Sequence, residues 1–436
     1  MNARLAHEGP SIDRSARRFK RWLIVILSAA LLVRIGFLIL FPQTLSLKTS
    51  GYDAYAVHLL EGRGFTRFED RTADTDLPPL YPFLLAAIFA SLGRGALQVG
   101  VVQIAFDGLT ILLLHRIGRR VGGEAVGLLS AAFYGFYPYL IYQNLTVNDT
   151  SIFILLLVAG IELGYRVEES RSARQAAAMG LVLALAALTK PMVGVVWLLL
   201  GVWWLIRLGR RDGVRLGLIS GVTLAAVIAP WVIRNSLVDG EIVFISTNGG
   251  SNLHQGNNAC VVDYLKVGWD AQWVDCLAQP PPGLNEAELD RWHRQQALDY
   301  LWENPDQWTE LLATKFWVLW SPALRPTSVP TGAVSGDDPV LIYSTPAFQW
   351  ARTIHVFYFA PLLALGVLGI ALAWRARRPI GPLLGVLAAV TVVYLVFHPS
   401  TRYRSPADPF LFVFSAFAVV RLWVRARAPR PHNEAS

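Results

Sequence analysis

The chain has 436 residues, of which 54% are hydrophobic and only 16% are charged, whereas soluble globular domains carry about 25% charged residues. This composition excludes an ordinary soluble enzyme. The net charge of +8 does not indicate a nucleic-acid-binding protein, because the basic residues are dispersed in short runs between apolar segments. The sequence contains no GxxxxGK[ST] phosphate-binding loop, no dinucleotide-binding fingerprint and no HExxH zinc motif.

Apolar segments of membrane-spanning length recur along the chain. A helix needs about 20 mostly apolar residues to cross the hydrocarbon core, and the first such segment lacks the small-residue cleavage site of a signal peptide. We therefore predict an all-α polytopic membrane protein with about ten transmembrane helices. A shorter apolar run, 80–92, follows two prolines and is predicted to lie at the membrane surface. The predicted spans are residues 22–41, 97–115, 124–142, 150–167, 175–189, 192–207, 214–232, 353–373, 380–397 and 408–425.

Arginine and lysine residues set the predicted orientation. If 80–92 does not cross, the strongly basic short loops all fall on one side of the membrane, which the positive-inside rule makes cytoplasmic. The prediction is a multi-pass protein of the cell (inner or plasma) membrane with both termini in the cytoplasm and an exported active site. The predicted segments are a basic N-terminus (1–21), a transmembrane module (22–232) with an exported loop (42–96), a large exported loop (233–352), C-terminal helices (353–425) and a cytoplasmic tail (426–436).

Two exported carboxylates are the first candidates for chemistry. Asp53 begins an amphipathic stretch that also carries Tyr55 and His58, and Asp149 opens the fourth span on the same side. A carboxylate at the membrane surface can accept a proton from an attacking hydroxyl, and two converging carboxylates can hold a divalent cation. Either aspartate could instead cap a helix. We predict Asp53 as the catalytic residue and Asp149 as a second acidic residue, with a metal left open.

Four basic residues are predicted to lie near the exported surface. Arg402 and Arg404 occupy the last exported loop, although anchoring cations are expected mainly on the cytoplasmic side. Because guanidinium groups suit phosphate oxygens, these two arginines indicate phosphate binding. Arg234 lies where the seventh span ends, and Lys190 can reach the exported face by snorkelling. Asp107, inside the second span, is predicted to be protonated or hydrogen-bonded within the bundle and is left out of the site.

The large exported loop carries two further features. Asn248, Gly249 and Asn257 belong to a turn-rich segment whose backbone could approach a ligand closely, although a plain surface loop has the same composition. Cys260 and Cys276 are the two cysteines of the chain. They could close a disulfide if the loop faces an oxidising compartment, or they could remain free thiols.

Five segments, in this order, carry a resemblance to a known family: GYDAYAVHLLEGRGF, PPLYPFLLA, LTKP, PWVIRNSLVDGEIVFISTNGGSNLHQGNN and RYRSPADPF. Together they resemble the GT-C glycosyltransferases, in particular the bacterial protein-mannosyltransferase-like branch with the lipid A aminoarabinose transferases. The resemblance implies a module of seven helices with juxtamembrane helices in the first exported loop. It also implies inverting transfer of a sugar from a polyprenyl-phosphate donor to an exported acceptor. Asp53 matches the family's base, Asp149 its second acid, and Arg234, Arg402 and Arg404 its phosphate-binding residues.

The sequence departs from the family pattern at two positions. Ala54 follows Asp53 where many members have a second acid, which puts metal dependence in doubt, and Lys190 replaces an arginine. A helical insert at 260–300 is expected to bear on the acceptor, which could be a protein, a lipid or a polysaccharide. Two other classes remain open from the residues alone. They are a transporter or lipid flippase, which usually shows internal repeats and mid-membrane polar sites, and a ligase of surface polysaccharide.

Overall fold

The computed structural model describes residues 9–41, 51–71, 73–327 and 346–427. The remaining parts of the predicted first loop, large loop and tails lie outside the described residues. Within the described ranges the chain forms helices and no strand. In chain order they are α1 (Gly9–Leu40), α2 (Tyr52–Leu60), α3 (Leu80–Leu92), α4 (Ala96–Gly122), α5 (Glu124–Gly135), α6 (Pro138–Gln143), α7 (Thr150–Ser170), α8 (Ala173–Ala187), α9 (Val193–Asp239), α10 (Gly249–Gly256), α11 (Val261–Val267), α12 (Glu286–Glu303), α13 (Trp308–Trp320), α14 (Pro346–Arg375), α15 (Gly381–Val396), α16 (Thr401–Arg404) and α17 (Asp408–Arg427).

Six of these helices are long and apolar enough to cross a membrane, namely α1, α4, α7, α9, α14 and α17. Helices α3, α8 and α15 are apolar but shorter. Helix α9 is interrupted at Gly209, whose φ of 78° is not helical, so its 47 residues form two helical arms. The predicted all-α polytopic membrane fold is confirmed. The exact number of ten crossings stays a prediction.

Small residues allow the helices of the bundle to approach closely. A Cβ atom at Gly180 of α8 would lie 2.3 Å from the carbonyl oxygen of Ser220 in α9, and one at Gly369 of α14 would lie 2.0 Å from that of Phe414 in α17. Both distances are far below van der Waals contact, so only glycine fits. Close packing of this kind drives helix association in lipid, where apolar surface alone does not.

A buried ion pair joins α1 to α4 inside the bundle. Arg34 Nε donates to Asp107 Oδ2 at 3.0 Å, and both side chains are almost completely buried. Tyr134 and Asn144 also donate to the Asp107 carboxylate, at 2.7 and 3.0 Å. Asp107 is therefore hydrogen-bonded within the bundle, one of the two alternatives predicted. Its counter-ion Arg34 was not identified from the sequence.

Residues 51–71, 73–79 and 240–327 lie together at one end of the bundle, which we call the loop end. Helix α3 packs on α2 and α4, and the backbone N–H of Leu80 donates to the Leu188 carbonyl at 3.0 Å. The Thr75 hydroxyl in the first loop donates to Asp239 at 2.7 Å, and the Thr75 backbone N–H donates to Glu286 of α12 at 2.5 Å. These contacts fix the first loop against both the bundle and the large loop.

Candidate functional site

The buried carboxylate of Asp149 at the loop end is paired with two cations. Lys190 Nζ donates to Asp149 Oδ2 at 2.7 Å, and Arg402 Nη2 donates to Asp149 Oδ1 at 3.2 Å. Tyr52, the first residue of α2, donates its hydroxyl to Oδ2 at 3.3 Å. We call Tyr52, Asp149, Lys190 and Arg402 the anion cluster. It joins four segments that are far apart in the sequence.

The three charged members of the cluster lie at or between helix ends. Asp149 precedes α7, but its side chain makes no capping hydrogen bond; Asn148 accepts from the Thr150 N–H instead, at 2.9 Å. Lys190 lies in the turn between α8 and α9. Arg402 lies on the four-residue helix α16, which Ser400 caps. The Asp149 side chain is thus free to bind the two cations rather than the helix.

The anion cluster holds two positive charges and one negative charge. Burial raises the pKa of Asp149, but the charges of Lys190 and Arg402 outweigh burial and hold that pKa below its ordinary value. The side chains of Asp149, Lys190 and Arg402 are 3, 13 and 34% exposed. An excess positive charge that is partly withdrawn from water attracts an anion more strongly than the same charge on an open surface.

Within the part of the chain that the structure describes, two buried polar atoms in or beside the anion cluster have no hydrogen-bond partner. They are Arg402 Nε and Thr150 Oγ1, and Thr150 is only 1% exposed. Leaving a buried donor unpaired is costly, and such atoms in a native protein call for an explanation, for example an absent ligand. Both groups can donate to an oxygen of a phosphate. The chemistry of the donor set therefore fits an oxyanion.

Tyrosine rings pack around the anion cluster. Tyr52 contacts Tyr81 edge to face, with ring centroids 5.0 Å apart, and Tyr394 stacks on Tyr403 at 4.8 Å. Burial raises the pKa of Tyr403 to about 12, so its hydroxyl stays protonated at neutral pH. The rings add hydrogen-bonding groups and apolar surface without adding charge.

Asp53 adjoins the anion cluster along α2 but belongs to a different ion pair. It directly follows Tyr52, and its carboxylate accepts from Arg94 Nη2 at 3.5 Å. The Asp53 side chain is 15% exposed and that of Arg94 is 54% exposed. The Asp53 carboxylate is therefore partly exposed, as a base that receives a proton from a substrate must be.

The predicted carboxylates do not form a cation site. No group of three or more His, Cys, Asp and Glu side chains suited to a metal occurs in the part of the chain that the structure describes. Asp149 is already paired with two cations, and Asp53 is paired with Arg94. Hard divalent cations need several free oxygen ligands, so these residues do not fit one.

Arg234 lies apart from the anion cluster. Its guanidinium donates to the backbone carbonyls of Asp74 and, at 3.2 Å, Phe65. It also lies 4.9 Å above the ring of Trp231. These partners are backbone and aromatic groups of the first loop and of α9 itself. The residue fastens the first loop to the bundle.

Arg404 is completely buried and its donors are engaged. Its Nε donates to Asp408 at 3.1 Å, Nη1 donates to the carbonyls of Leu319 and Ser321, and Nη2 donates to the Tyr137 hydroxyl at 3.4 Å. Side chains two positions apart on a helix point about 160° away from each other. Arg402 and Arg404 therefore face different surroundings on α16, and only Arg402 joins the anion cluster.

The other residues predicted in the first loop hold that loop together. The Tyr55 hydroxyl donates to Asp74 at 2.5 Å, and burial raises the pKa of Tyr55 above its ordinary value. His58 Nδ1 lies 2.9 Å from the Thr66 carbonyl. Both side chains are buried, so they shape the segment behind Asp53 and do not line an open site.

The predicted residues of the large loop have similar internal partners. Asn248 precedes α10 and accepts from the Ser246 hydroxyl at 3.1 Å. Gly249 begins α10, where the helix packs on α12. Asn257 donates to the Val396 carbonyl at 2.9 Å, which ties the loop to the end of α15. Cys260 and Cys276 are joined as a disulfide with their Cα atoms 6.5 Å apart.

Sequence reasoning missed three polar residues near the site. Tyr52 and Thr150 adjoin the predicted aspartates directly, so their positions beside Asp53 and Asp149 were the available signal. Arg94 is a lone exposed cation between α3 and α4, and nothing in the sequence pairs it with Asp53 across forty residues.

Comparison with known proteins shows one family model and several solved structures to which the chain is similar. Residues 76–233 match the family model described as dolichyl-phosphate-mannose-protein mannosyltransferase. The apo oligosaccharyltransferase of Archaeoglobus fulgidus aligns with a TM-score of 0.55 and 13% identity, over 94% of this chain and 51% of that chain. The complex of AglB from Archaeoglobus fulgidus with an inhibitory peptide and a dolichol-phosphate aligns with a TM-score of 0.51 and 12% identity, over 94% of this chain and 52% of that chain. The chain therefore shares the fold of these membrane oligosaccharyltransferases over the aligned part.

The matched segment contains most of the predicted module and two members of the anion cluster, Asp149 and Lys190. The resemblance to the protein-mannosyltransferase-like branch of the GT-C glycosyltransferases is confirmed. The chain spans about half the length of the oligosaccharyltransferase chains that it matches. ArnT from Cupriavidus metallidurans bound to undecaprenyl phosphate aligns over 92% of this chain and 77% of that chain with 14% identity, but its TM-score of 0.41 is too low to carry an argument. No curated protein matches the chain in sequence.

Proposed function

We propose that this protein is a glycosyltransferase that moves a sugar from a polyprenyl-phosphate-linked donor to an acceptor hydroxyl at the loop end. The observation that carries the proposal is the anion cluster, in which Lys190 and Arg402 share one buried carboxylate, while Arg402 Nε and the adjacent Thr150 Oγ1 have no hydrogen-bond partner among the described residues. AglB of Archaeoglobus fulgidus forms a complex with a dolichol-phosphate, a lipid of the class proposed here. The family match at 76–233 supports the same activity.

The donor phosphate is expected to lie against Lys190, Arg402 and the Thr150 hydroxyl. A phosphodiester carries one negative charge, which balances the excess positive charge of the cluster. As the bond between the anomeric carbon and the phosphate oxygen breaks, the electron pair stays on the phosphate and a second negative charge develops. Cations already in place stabilise that charge without reorganisation. The prenyl chain would remain in the bilayer beside the helices.

Asp53 is the proposed base. The acceptor oxygen attacks the anomeric carbon on the face opposite the leaving phosphate, which inverts that carbon, and the hydroxyl proton passes to the Asp53 carboxylate. Arg94 holds this carboxylate at 3.5 Å. Tyr52 links the two halves of the site, because it precedes Asp53 in α2 and donates to Asp149.

The membrane arrangement proposed with this mechanism follows the basic residues. Counting the two arms of α9 separately, taking α5 and α6 together as one crossing, and adding α8 and α15 to the other long helices gives ten crossings, with α3 at the surface. The loop end then faces the exported side and both termini face the cytoplasm, in accordance with the positive-inside rule. The domain limits predicted from the sequence, with a transmembrane module at 22–232 and a large exported loop at 233–352, are retained as part of this proposal.

Sugar transfer from radiolabelled polyprenyl-phosphate donors in membranes tests the proposal. Loss of a general base lowers rates by about 10²–10⁴-fold, so Asp53→Asn should show a loss in that range at normal protein abundance. Lys266→Met, which removes an exposed cation of the large loop, should transfer sugar like the wild type. Unchanged transfer by Asp53→Asn would remove this residue from the mechanism. Absence of transfer by the wild type from every such donor would favour a transporter or flippase.

A further inference from the structure

Helix α13 is apolar on two opposite faces, although it lies in the large loop. Leu311 and Leu319 face the protein and are 2 and 0% exposed. Leu312, Phe316 and Trp317 face outward and are 45, 50 and 67% exposed. An exposed run of large apolar side chains is unusual on a surface that faces water and marks contact with another apolar phase.

The charged residues of α13 are confined to its first turn and its inner face. Glu310, in the first turn, pairs with exposed Lys266. Lys315 is completely buried and donates to Asn257 Oδ1 at 2.9 Å. From Leu312 onward the outer face carries no charge. The helix therefore begins as a surface suited to water and continues as a surface suited to lipid.

Contacts with α15 give the direction of α13 relative to the bundle. Lys315 Nζ donates to the Leu395 carbonyl at 2.9 Å, at the loop end of α15, and Trp320 Nε1 donates to Thr391 Oγ1 at 3.2 Å. As α13 advances five residues, its partner on α15 moves back four. At 1.5 Å per residue, α13 descends along α15 by about 7 Å between these contacts.

Backbone carbonyls at the end of α13 accept hydrogen bonds from a buried side chain, as a membrane interior requires. The last carbonyls of a helix have no partner within the helix, and in lipid such groups must be satisfied by the protein itself. Arg404 Nη1 donates to the carbonyls of Leu319 and Ser321, the first at 3.2 Å. The charge of Arg404 is balanced by Asp408 of the spanning helix α17. This arrangement explains a fully buried arginine in the last loop.

We infer that α13 is a re-entrant helix that enters the leaflet on the loop side and returns without crossing. Its 13 residues extend about 20 Å, too short for a hydrocarbon core of about 30 Å. Its outer face, formed by Leu312, Phe316 and Trp317, binds the acyl chains of that leaflet. The disulfide-linked segment that packs on α13 through α11 is thereby held at the membrane surface.

Nitroxide labelling of the intact protein in liposomes tests this inference. The two native cysteines form a disulfide, so one introduced cysteine can be labelled alone. Phe316→Cys and Leu312→Cys place the probe on the outer face of α13. Gln295→Cys places it on the exposed side of α12 as the control. Power saturation with oxygen and with a water-soluble nickel chelate then reports whether each probe lies in lipid or in water.

Collisions with oxygen should exceed those with the nickel chelate at positions 312 and 316, and the ratio should be reversed at position 295. Because both α13 positions are exposed, neither substitution removes a packed side chain, and each checks the other. Nickel accessibility at 312 and 316 equal to that at 295 would overturn the inference. Exclusion of both reagents would also overturn it, since a protein surface would then cover the helix.

Discussion

Replacement of Asp149 by asparagine keeps the size of the side chain and removes the only negative charge of the anion cluster. The carboxylate accepts hydrogen bonds from Lys190 at 2.7 Å, Arg402 at 3.2 Å and Tyr52 at 3.3 Å. Removing one partner of a buried ion pair costs about 3–5 kcal/mol because the other charge stays buried. Two cations lose their counter-ion here, so we expect Asp149→Asn to lower the free energy of unfolding by that amount.

Thermal unfolding of the purified protein, followed by intrinsic fluorescence, measures this loss. The matched control is Glu310→Gln, which breaks an ion pair with both partners exposed and should leave the midpoint unchanged. Undecaprenyl phosphate should raise the midpoint of Asp149→Asn more than that of the wild type, because the bound anion replaces the missing charge.

The pH dependence of the unfolding midpoint tests the same electrostatic stabilisation by Asp149. The pKa of Asp149 in the folded protein lies below its ordinary 3.8. Its stabilising contribution is therefore fully present above 3.8 and is lost as the pH falls through the lower folded value. The difference between wild type and Asp149→Asn should be constant from about pH 8 to pH 5. Equal midpoints at neutral pH, or a difference that disappears between pH 7 and 5, would refute the electrostatic reasoning.

Three further predictions concern the framework around the site. Arg404→Met should destabilise the fold by about 3–5 kcal/mol, because Asp408 and two carbonyls lose their partner; the yield of folded protein in size-exclusion chromatography measures this. Burial lowers the pKa of His254 to about 4. The stability of the fold with neutral His254 is therefore fully present above the ordinary histidine pKa of 6.5. The free energy of unfolding falls by about 1.4 kcal/mol per pH unit as the pH is lowered from there towards 4. His254→Gln should make this decline in unfolding midpoint less steep. Cys260→Ser should cost about 3 kcal/mol for a loop of this length, and added reductant should not lower its midpoint further. A midpoint of His254→Gln equal to that of the wild type at every pH would contradict the histidine prediction. A midpoint of Cys260→Ser equal to that of the wild type with and without reductant would contradict the disulfide prediction.

The helical framework could be predicted from the sequence because lipid imposes a simple length rule. Each predicted span appears as a helix or as one arm of a kinked helix, except 124–142, which divides into α5 and α6, and the short run at 80–92 forms α3. The interruption of α9 at Gly209 lies at a predicted boundary between two spans. This boundary was predictable because a glycine and four nearby arginines separate the two apolar arms. The number of crossings depends on where the lipid boundary lies, which composition alone does not determine.

The membership of the site was only partly predictable. Asp149, Lys190 and Arg402 were each identified by their position at helix ends, yet their contacts span 41 and 253 residues of sequence. Arg402 and Arg404 are the same residue type in the same short loop, and they differ only in the direction in which their side chains leave α16. Partners that depend on the packing of distant helices, such as Arg34 for Asp107 or Arg94 for Asp53, leave no local periodic signal.

Direct binding of undecaprenyl phosphate to the purified protein tests the central claim that Lys190 and Arg402 hold a lipid phosphate. A charge-assisted hydrogen bond contributes about 1.5–3 kcal/mol, so Lys190→Met and Arg402→Met should each raise the Kd by about 10- to 150-fold. Lys266→Met should leave the Kd unchanged. Wild-type affinity in both Lys190→Met and Arg402→Met, in correctly folded protein, would contradict the assignment of the anion cluster as the donor-phosphate site.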